Sequence, residues 1–115
     1  MLRVVGKRGL CCPVITCDWC GRPIEDARQG NYEWVFGPEG DSTAYTARMA
    51  SGETLTAEVF FTHKRCCHAF EMANNRGSGV LWGAFGLECL PVYLGANLAL
   101  RWREARATAR LLAHL

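Results

Sequence analysis

The segment ITCDWCG, residues 15–21, contains the metal-ligand pattern that is most informative about the fold. It holds Cys17 and Cys20 at C-x2-C spacing, which lets two thiolates reach a single tetrahedral metal ion. Gly21 follows directly, and glycine adopts the tight backbone geometry of a metal-binding turn without Cβ strain. The segment therefore predicts a zinc knuckle. A redox-active cysteine pair or an iron–sulfur centre would use the same spacing, but glycine and proline just after Cys20 disfavour the helix of a thioredoxin-like motif.

A second pair of metal-binding residues, His63 and Cys66, lies far downstream at H-x2-C spacing. It follows the strand-like residues 57–62 and opens a helix-like run from Lys64 to Asn74. Zinc prefers thiolate and imidazole ligands, and four protein ligands normally mark a structural ion. We therefore expect one structural zinc ion, bound by Cys17, Cys20, His63 and Cys66.

The other cysteines and histidines leave alternatives open. The seven cysteines are an odd number, so they cannot all form internal disulfides, and metal binding in a reducing compartment explains their spacing better. Cys67 or His68 could replace a proposed ligand, and the competing interpretation of the second pair is a helix-capping histidine beside a core cysteine. We expect the remaining cysteines to pack as small apolar side chains, with a further metal site among them as the alternative: Cys11, Cys12, Cys67 and Cys89.

Length and composition favour one globular domain spanning residues 1–115. The chain has 115 residues, of which 50% are hydrophobic, and a formal net charge of +2. It has no apolar stretch long enough for a transmembrane helix and no pattern typical of a secretory signal. We therefore expect a cytoplasmic protein without membrane contact.

Alternating residues predict strands between the two ligand pairs. Tyr32, Trp34 and Phe36 alternate with Glu33 and Val35, which indicates a half-buried strand. Further strands are predicted at 43–49 and 54–62, so that an antiparallel meander returns the chain to the second pair. Residues 1–13 are expected to supply one strand or an arm.

The C-terminal part, residues 80–115, is predicted to be a helical region that packs on the zinc module or on a partner. Its longest helix is expected to run from 91 to 115, with Pro91 in the first turn. Leu94 and Leu98 begin a stripe that should face the domain. Leucines on another side predict contact with a protein partner or a second copy of the chain: Leu100, Leu111 and Leu115.

The order of knuckle, strands and a helix that begins with two ligands resembles the treble-clef zinc finger. The resemblance covers residues 15–75 and rests on Cys17, Cys20 and Gly21, together with the His63 and Cys66 pair. The ligand order is also similar to that of LIM modules and of the DNA-end finger of poly(ADP-ribose) polymerases. The resemblance implies an α+β, treble-clef-like zinc-binding domain followed by C-terminal helices.

Three functions are compatible with this sequence. The first is a non-catalytic, zinc-stabilised binding or regulatory module that acts on proteins, such as a small accessory or phage-related regulator of nucleic-acid machinery. The second is direct binding of DNA or RNA through basic residues: Lys64, Arg65, Arg76, Arg103, Arg106 and Arg110. The third is a ββα-metal nuclease, which would need His63 for catalysis, although we expect His63 to be a zinc ligand. We therefore expect neither an enzyme nor a small-molecule substrate.

Overall fold

The computed structural model of the chain describes residues 1–36, 44–74, 81–98 and 110. Within these residues the chain forms seven strands in three separate antiparallel sheets, together with two α-helices. The predicted mixed α and β composition is thereby confirmed.

The first sheet is a hairpin of β1, Leu2–Lys7, and β2, Leu10–Ile15. Arg8 and Gly9 form the connection with φ of 52° and 77°, and two successive positive φ angles are typical of the tight turns that match strand twist. Every residue of β1 is exposed. Within the described part of the chain, the two strands pair only with each other.

The second sheet lies at the centre of the fold, in the order β6–β3–β7. Its middle strand β3, Gly30–Phe36, pairs with β6, Phe60–His63, and with β7, Leu81–Gly86. Side chains alternate between the faces of a strand, so the rings of Tyr32 and Trp34 of β3 share one face. On that face Tyr32, Trp34 and Phe85 stack with centroid separations between 5.4 and 5.8 Å.

Helix α1, Lys64–Asn74, packs on the other face of this sheet. Its buried residues Cys66, Phe70 and Asn74 recur every four positions, the spacing of one helical face. Phe70 and Phe60 are both fully buried, and their ring centroids lie 5.5 Å apart. Burial of each such ring contributes roughly 1.5–3 kcal/mol, so this contact anchors the helix that carries Cys66.

The third sheet covers the end of α1. It pairs β4, Tyr45–Arg48, with β5, Thr54–Ala57. Ala47 of β4 belongs to the same core cluster as the two phenylalanines. After β7, a 3-10 turn at Leu87–Cys89 leads into helix α2, Leu90–Asn97, which has Pro91 in its first turn as predicted.

The strand order differs from the predicted meander. The segment 54–62 does not form one strand but divides into β5 and β6, which belong to different sheets. The strand predicted at 43–49 corresponds to β4 and pairs with β5, whereas β3 pairs with β6 and β7. Residues 1–13, expected as one strand or an arm, contribute to two strands.

The helical prediction for residues 80–115 is wrong at 81–86, where the chain forms β7. Hydrogen bonding to β3 along the whole strand outweighs the local pattern, and Phe85 stacks on Tyr32 of β3. Leu94 and Leu98 are 47% and 66% exposed, so this part of the expected stripe does not face the domain. The remainder of that helix, at 99–109 and 111–115, lies outside the described residues.

Candidate metal centre

A tight turn after β2 positions the first two ligands. The backbone N–H of Gly21 donates to the carbonyl oxygen of Cys17 at 2.9 Å, and Cys17 N–H donates to the carbonyl oxygen of Arg22 at 2.8 Å. Gly21 has a φ of 75°, in the left-handed region that glycine adopts without strain. The turn therefore folds the chain back on itself so that Cys20 lies beside Cys17.

The junction of β6 and α1 supplies the other two ligands. His63 is the last residue of β6 and is 6% exposed, and Cys66 lies in the first turn of α1. The ligand atoms of Cys17, Cys20, His63 and Cys66 all lie within 4.8 Å of one another. Cys20 Sγ and His63 Nδ1 are 3.4 Å apart, close to the roughly 3.5 Å that tetrahedral zinc bond lengths imply. The four residues could hold a metal ion.

The surrounding backbone orients this cluster. His63 Nε2 lies 3.2 Å from the carbonyl oxygen of Pro23, so Nδ1 is the ring nitrogen that faces the sulfurs. The backbone N–H of His63 donates to Cys17 Sγ at 3.3 Å. Hydrogen bonds of this kind fix the orientation of a ligating imidazole and stabilise thiolates.

The thiols of the cluster differ in acidity. Burial alone would raise the pKa of Cys20, but hydrogen bonds from the Arg22 backbone and from the neighbouring Cys17 and Cys66 outweigh it and lower that pKa. Burial, followed by the charges of Cys17 and Cys20, raises the pKa of Cys66 to about 11. Without a cation, three sulfurs at this separation cannot all be ionised at low cost, and a divalent ion would remove that repulsion.

Asp18 joins the knuckle to β6, a role that the sequence did not indicate. It is 2% exposed, and its Oδ2 accepts a hydrogen bond from the backbone N–H of Phe61 at 2.8 Å. The Asp18 N–H donates to the Phe61 carbonyl at 2.6 Å, and the amino group of Met1 donates to Oδ1 at 2.7 Å. These bonds hold the two ligand pairs together from outside the cluster. In the sequence, the position of Asp18 between Cys17 and Cys20 was the one feature that could have indicated this role.

Neither alternative ligand lies in the cluster. His68 is exposed, and Cys67 instead groups with Glu33 of β3 and Glu71 of α1, with ligand atoms within 4.8 Å of one another. Burial, with a smaller contribution from the Glu33 charge, raises the pKa of Cys67 to about 12. Burial also raises the pKa of Glu33 to about 7. Sequence patterns gave no indication of this second group, because Glu33 occupies an ordinary strand position.

The residues predicted to contact nucleic acid or a partner are only partly described. Lys64 forms an ion pair with Glu88 at 3.0 Å, and Arg65 and Arg110 are exposed. The other predicted contact residues lie outside the described residues: Arg76, Leu100, Arg103, Arg106, Leu111 and Leu115.

An open cleft of about 1110 Å³ separates the β1–β2 hairpin from the knuckle and the start of α2. Arg3, Val5 and Val14 line its hairpin side, and Ile24 and Leu90 line the opposite side. The cleft is therefore predominantly apolar, with basic groups on the hairpin.

Comparison of the chain with protein-family models, with curated proteins and with solved structures returns no significant match. Across the described residues, no helix combines the length and apolarity needed to cross a bilayer.

Proposed function

We propose that the cluster of Cys17, Cys20, His63 and Cys66 binds zinc, and that the knuckle, β6 and α1 form a treble-clef-like module. Three sulfurs and one imidazole are a donor set that zinc takes in structural sites. The order of elements supports the module, because the helix that follows β6 begins beside its two ligands. An ion here would tie together two remote parts of the chain, so its binding energy would also be folding energy.

The function that we infer is non-catalytic binding of a protein partner. The observation that carries it is the exposed apolar residues on both faces of the β1–β2 hairpin. Leu2 and Val4, on one face, are 64% and 70% exposed, and Leu10, on the other face, is 56% exposed. A two-stranded hairpin is at best marginally stable alone in water. Exposed apolar surface beside a cleft is typical of interaction sites, and a strand of a partner could extend the hairpin by β-augmentation.

Affinity purification from the organism that encodes the protein tests this function. We expect tagged wild-type protein to retain a protein partner after nuclease treatment, and the double variant Val4→Lys, Leu10→Lys to lose it while keeping its metal content and thermal stability. Thr54→Lys is the matched control, because Thr54 is also an exposed strand residue, on β5. Equal recovery of the partner by all three proteins would contradict the assignment of the hairpin.

Direct nucleic-acid binding is the second candidate, and the charge of the hairpin favours it. Arg3, Lys7 and Arg8 lie in or between β1 and β2, which contain no acidic residue. A two-stranded ribbon is narrow enough for the major groove of DNA. Three phosphate contacts would give a slope of about −2.7 in log K against log salt concentration. Titrations of duplex DNA and of RNA at two ionic strengths, with Arg3→Gln and Lys7→Gln variants, test this candidate.

We do not propose a nuclease. The ββα-metal mechanism would need His63 to act on a substrate, but Nδ1 of this ring faces the sulfur of Cys20 and Nε2 faces the Pro23 carbonyl. The ring therefore has no free nitrogen for general base chemistry.

A further inference from the structure

Away from the four-ligand cluster, the fold buries a carboxylate that has one unused oxygen. Glu33 is 0% exposed, and its Oε1 accepts a hydrogen bond from the Thr62 hydroxyl. Its Oε2 has no hydrogen-bond partner among the described residues. A buried polar atom without a partner is destabilising, so native proteins rarely leave one unless another group occupies the position.

Two further ligand groups, both on α1, lie close to the Glu33 carboxylate. Cys67 and Glu71 are one helical turn apart, and their ligand atoms and that of Glu33 all lie within 4.8 Å of one another. Cys67 Sγ is 3.4 Å from Glu71 Oε1. Zinc bonds of about 2.3 Å to sulfur and about 2.0 Å to oxygen would separate these atoms by about 3.5 Å in a tetrahedral site. The distance between Cys67 Sγ and Glu71 Oε1 therefore already matches a ligand–ligand distance of a tetrahedral zinc site.

The group also lacks a protein cation. Within the described part of the chain, neither Glu33 nor Glu71 forms an ion pair with a lysine, arginine or histidine. Two carboxylates this close repel each other when both are ionised. A divalent cation would remove the repulsion and provide the partner that Glu33 Oε2 lacks.

We propose that Glu33, Cys67 and Glu71 form a second metal site, which binds a divalent transition-metal ion of the Zn²⁺ class. Two carboxylate oxygens and one sulfur suit a borderline ion better than Mg²⁺ or Ca²⁺, which prefer oxygen ligands alone. Cys67 binds as the thiolate: its S–H bond breaks, the proton passes to solvent, and the sulfur lone pair forms the bond to the ion.

Access and coordination number distinguish this site from the first one. Cys67 and Glu71 are only partly buried, so an ion can enter from solvent. Three protein ligands leave a fourth position for water, in contrast to the closed set of a structural site. Cys66 and Cys67 are consecutive residues of α1 and point about 100° apart, so they serve different sites. The second site does not depend on the proposed protein partner.

Equilibrium dialysis against buffered Zn²⁺, followed by elemental analysis, tests the site. We expect the wild-type protein to bind two ions per chain, and Cys67→Ser and Glu71→Gln to bind one tightly with an at least tenfold loss of affinity for the other. Cys11→Ser and Glu58→Gln are matched controls, because both residues are exposed and lie outside the cluster, and they should bind two. Saturation of the wild type at one ion that Cys67→Ser still binds would overturn the proposal. Binding of two ions with unchanged affinity by the folded Cys67→Ser and Glu71→Gln variants would also overturn it.

A measurement on the wild-type protein avoids any loss of folding in the variants. Alkylation by iodoacetamide, mapped by mass spectrometry, reports the reactivity of each thiol. Raising Zn²⁺ from one to two equivalents should slow alkylation of Cys67 about tenfold and leave Cys11 unaffected. With Co²⁺ as the probe, the second equivalent should add a thiolate-to-metal charge-transfer band. If the second equivalent does not change the reactivity of Cys67, the proposed site does not exist.

Discussion

His63 Nε2 lies 3.2 Å from the carbonyl oxygen of Pro23, while Nδ1 of the same ring lies 3.4 Å from Cys20 Sγ. A carbonyl oxygen can only accept a hydrogen bond, so Nε2 must carry the proton and Nδ1 must offer a lone pair. Pro23, two residues after the knuckle, thus determines which nitrogen of His63 is available to a metal ion. Partners of this kind are a common part of the environment of ligating histidines.

This contact predicts the coordination mode of His63. In the zinc-loaded protein, long-range proton–nitrogen NMR spectra of the imidazole should show a protonated Nε2 and a metal-bound Nδ1. Addition of a chelator should change the Nδ1 resonance. His68 is exposed and lies outside the cluster, so it serves as the internal control, and neither of its ring nitrogens should show metal coordination. Metal coordination through Nε2 would contradict the observed orientation.

Removal of one thiolate should abolish metal binding. We expect Cys17→Ser to lose zinc and to unfold much of residues 15–74, because metal-binding energy in small modules is also folding energy. Cys17 is fully buried and its Sγ also accepts the His63 N–H, so no other group can replace it. Metal content and hydrogen exchange measure the two effects.

Cys11→Ser is the control for this prediction, since Cys11 is exposed on β2. It should keep its zinc and its protection from exchange. Retained zinc and unchanged thermal stability in Cys17→Ser would disprove the role of Cys17.

Short-range patterns in the sequence predicted the elements that local interactions determine. The ligand pairs are each contained in four residues, and the structure brings them together. Helix α1 has the predicted bounds, Lys64–Asn74, because its buried side chains follow a regular spacing of four. The alternation in residues 32–36 likewise indicated β3.

Long-range pairing accounts for what the sequence did not predict. In β7, LWGAFG, two glycines interrupt the strand pattern. The segment nevertheless forms a strand, because β3 offers hydrogen bonds along its whole length. Residues 54–62 look continuous, but the chain bends at 58–59 between two sheets. The environment of Glu33 also depends on packing, since the contact of α1 with that face of the sheet contributes to its burial.

The buried carboxylate of Asp18 should contribute to stability independently of the metal ligands. Asp18→Ala would leave the partly buried Phe61 N–H without its acceptor, and we expect a loss of roughly 2–4 kcal/mol in unfolding free energy. Urea unfolding of the zinc-loaded protein measures it. Glu58→Ala, at an exposed position, should change stability by less than about 0.5 kcal/mol. Equal stability of the two variants would show that the Asp18 contacts are energetically unimportant.

Asn74 connects the end of α1 to β4, and its replacement should weaken the contact between them. The side chain is 0% exposed, accepts a hydrogen bond from Arg48 N–H at 2.7 Å, and donates to the carbonyl oxygens of Arg48 at 3.1 Å and Phe70 at 2.9 Å. Asn74→Ala removes all three bonds, including both that link the helix to the partly buried backbone of Arg48, so we expect a loss of roughly 2–4 kcal/mol by urea unfolding. Asn74→Asp keeps the acceptor but loses both donated bonds, and it should be destabilised as well.

Met72→Ala is the helical control, because Met72 is 64% exposed and should change stability by less than about 0.5 kcal/mol. If Asn74→Ala is as stable as Met72→Ala, the hydrogen bonds of Asn74 do not hold β4 against the helix.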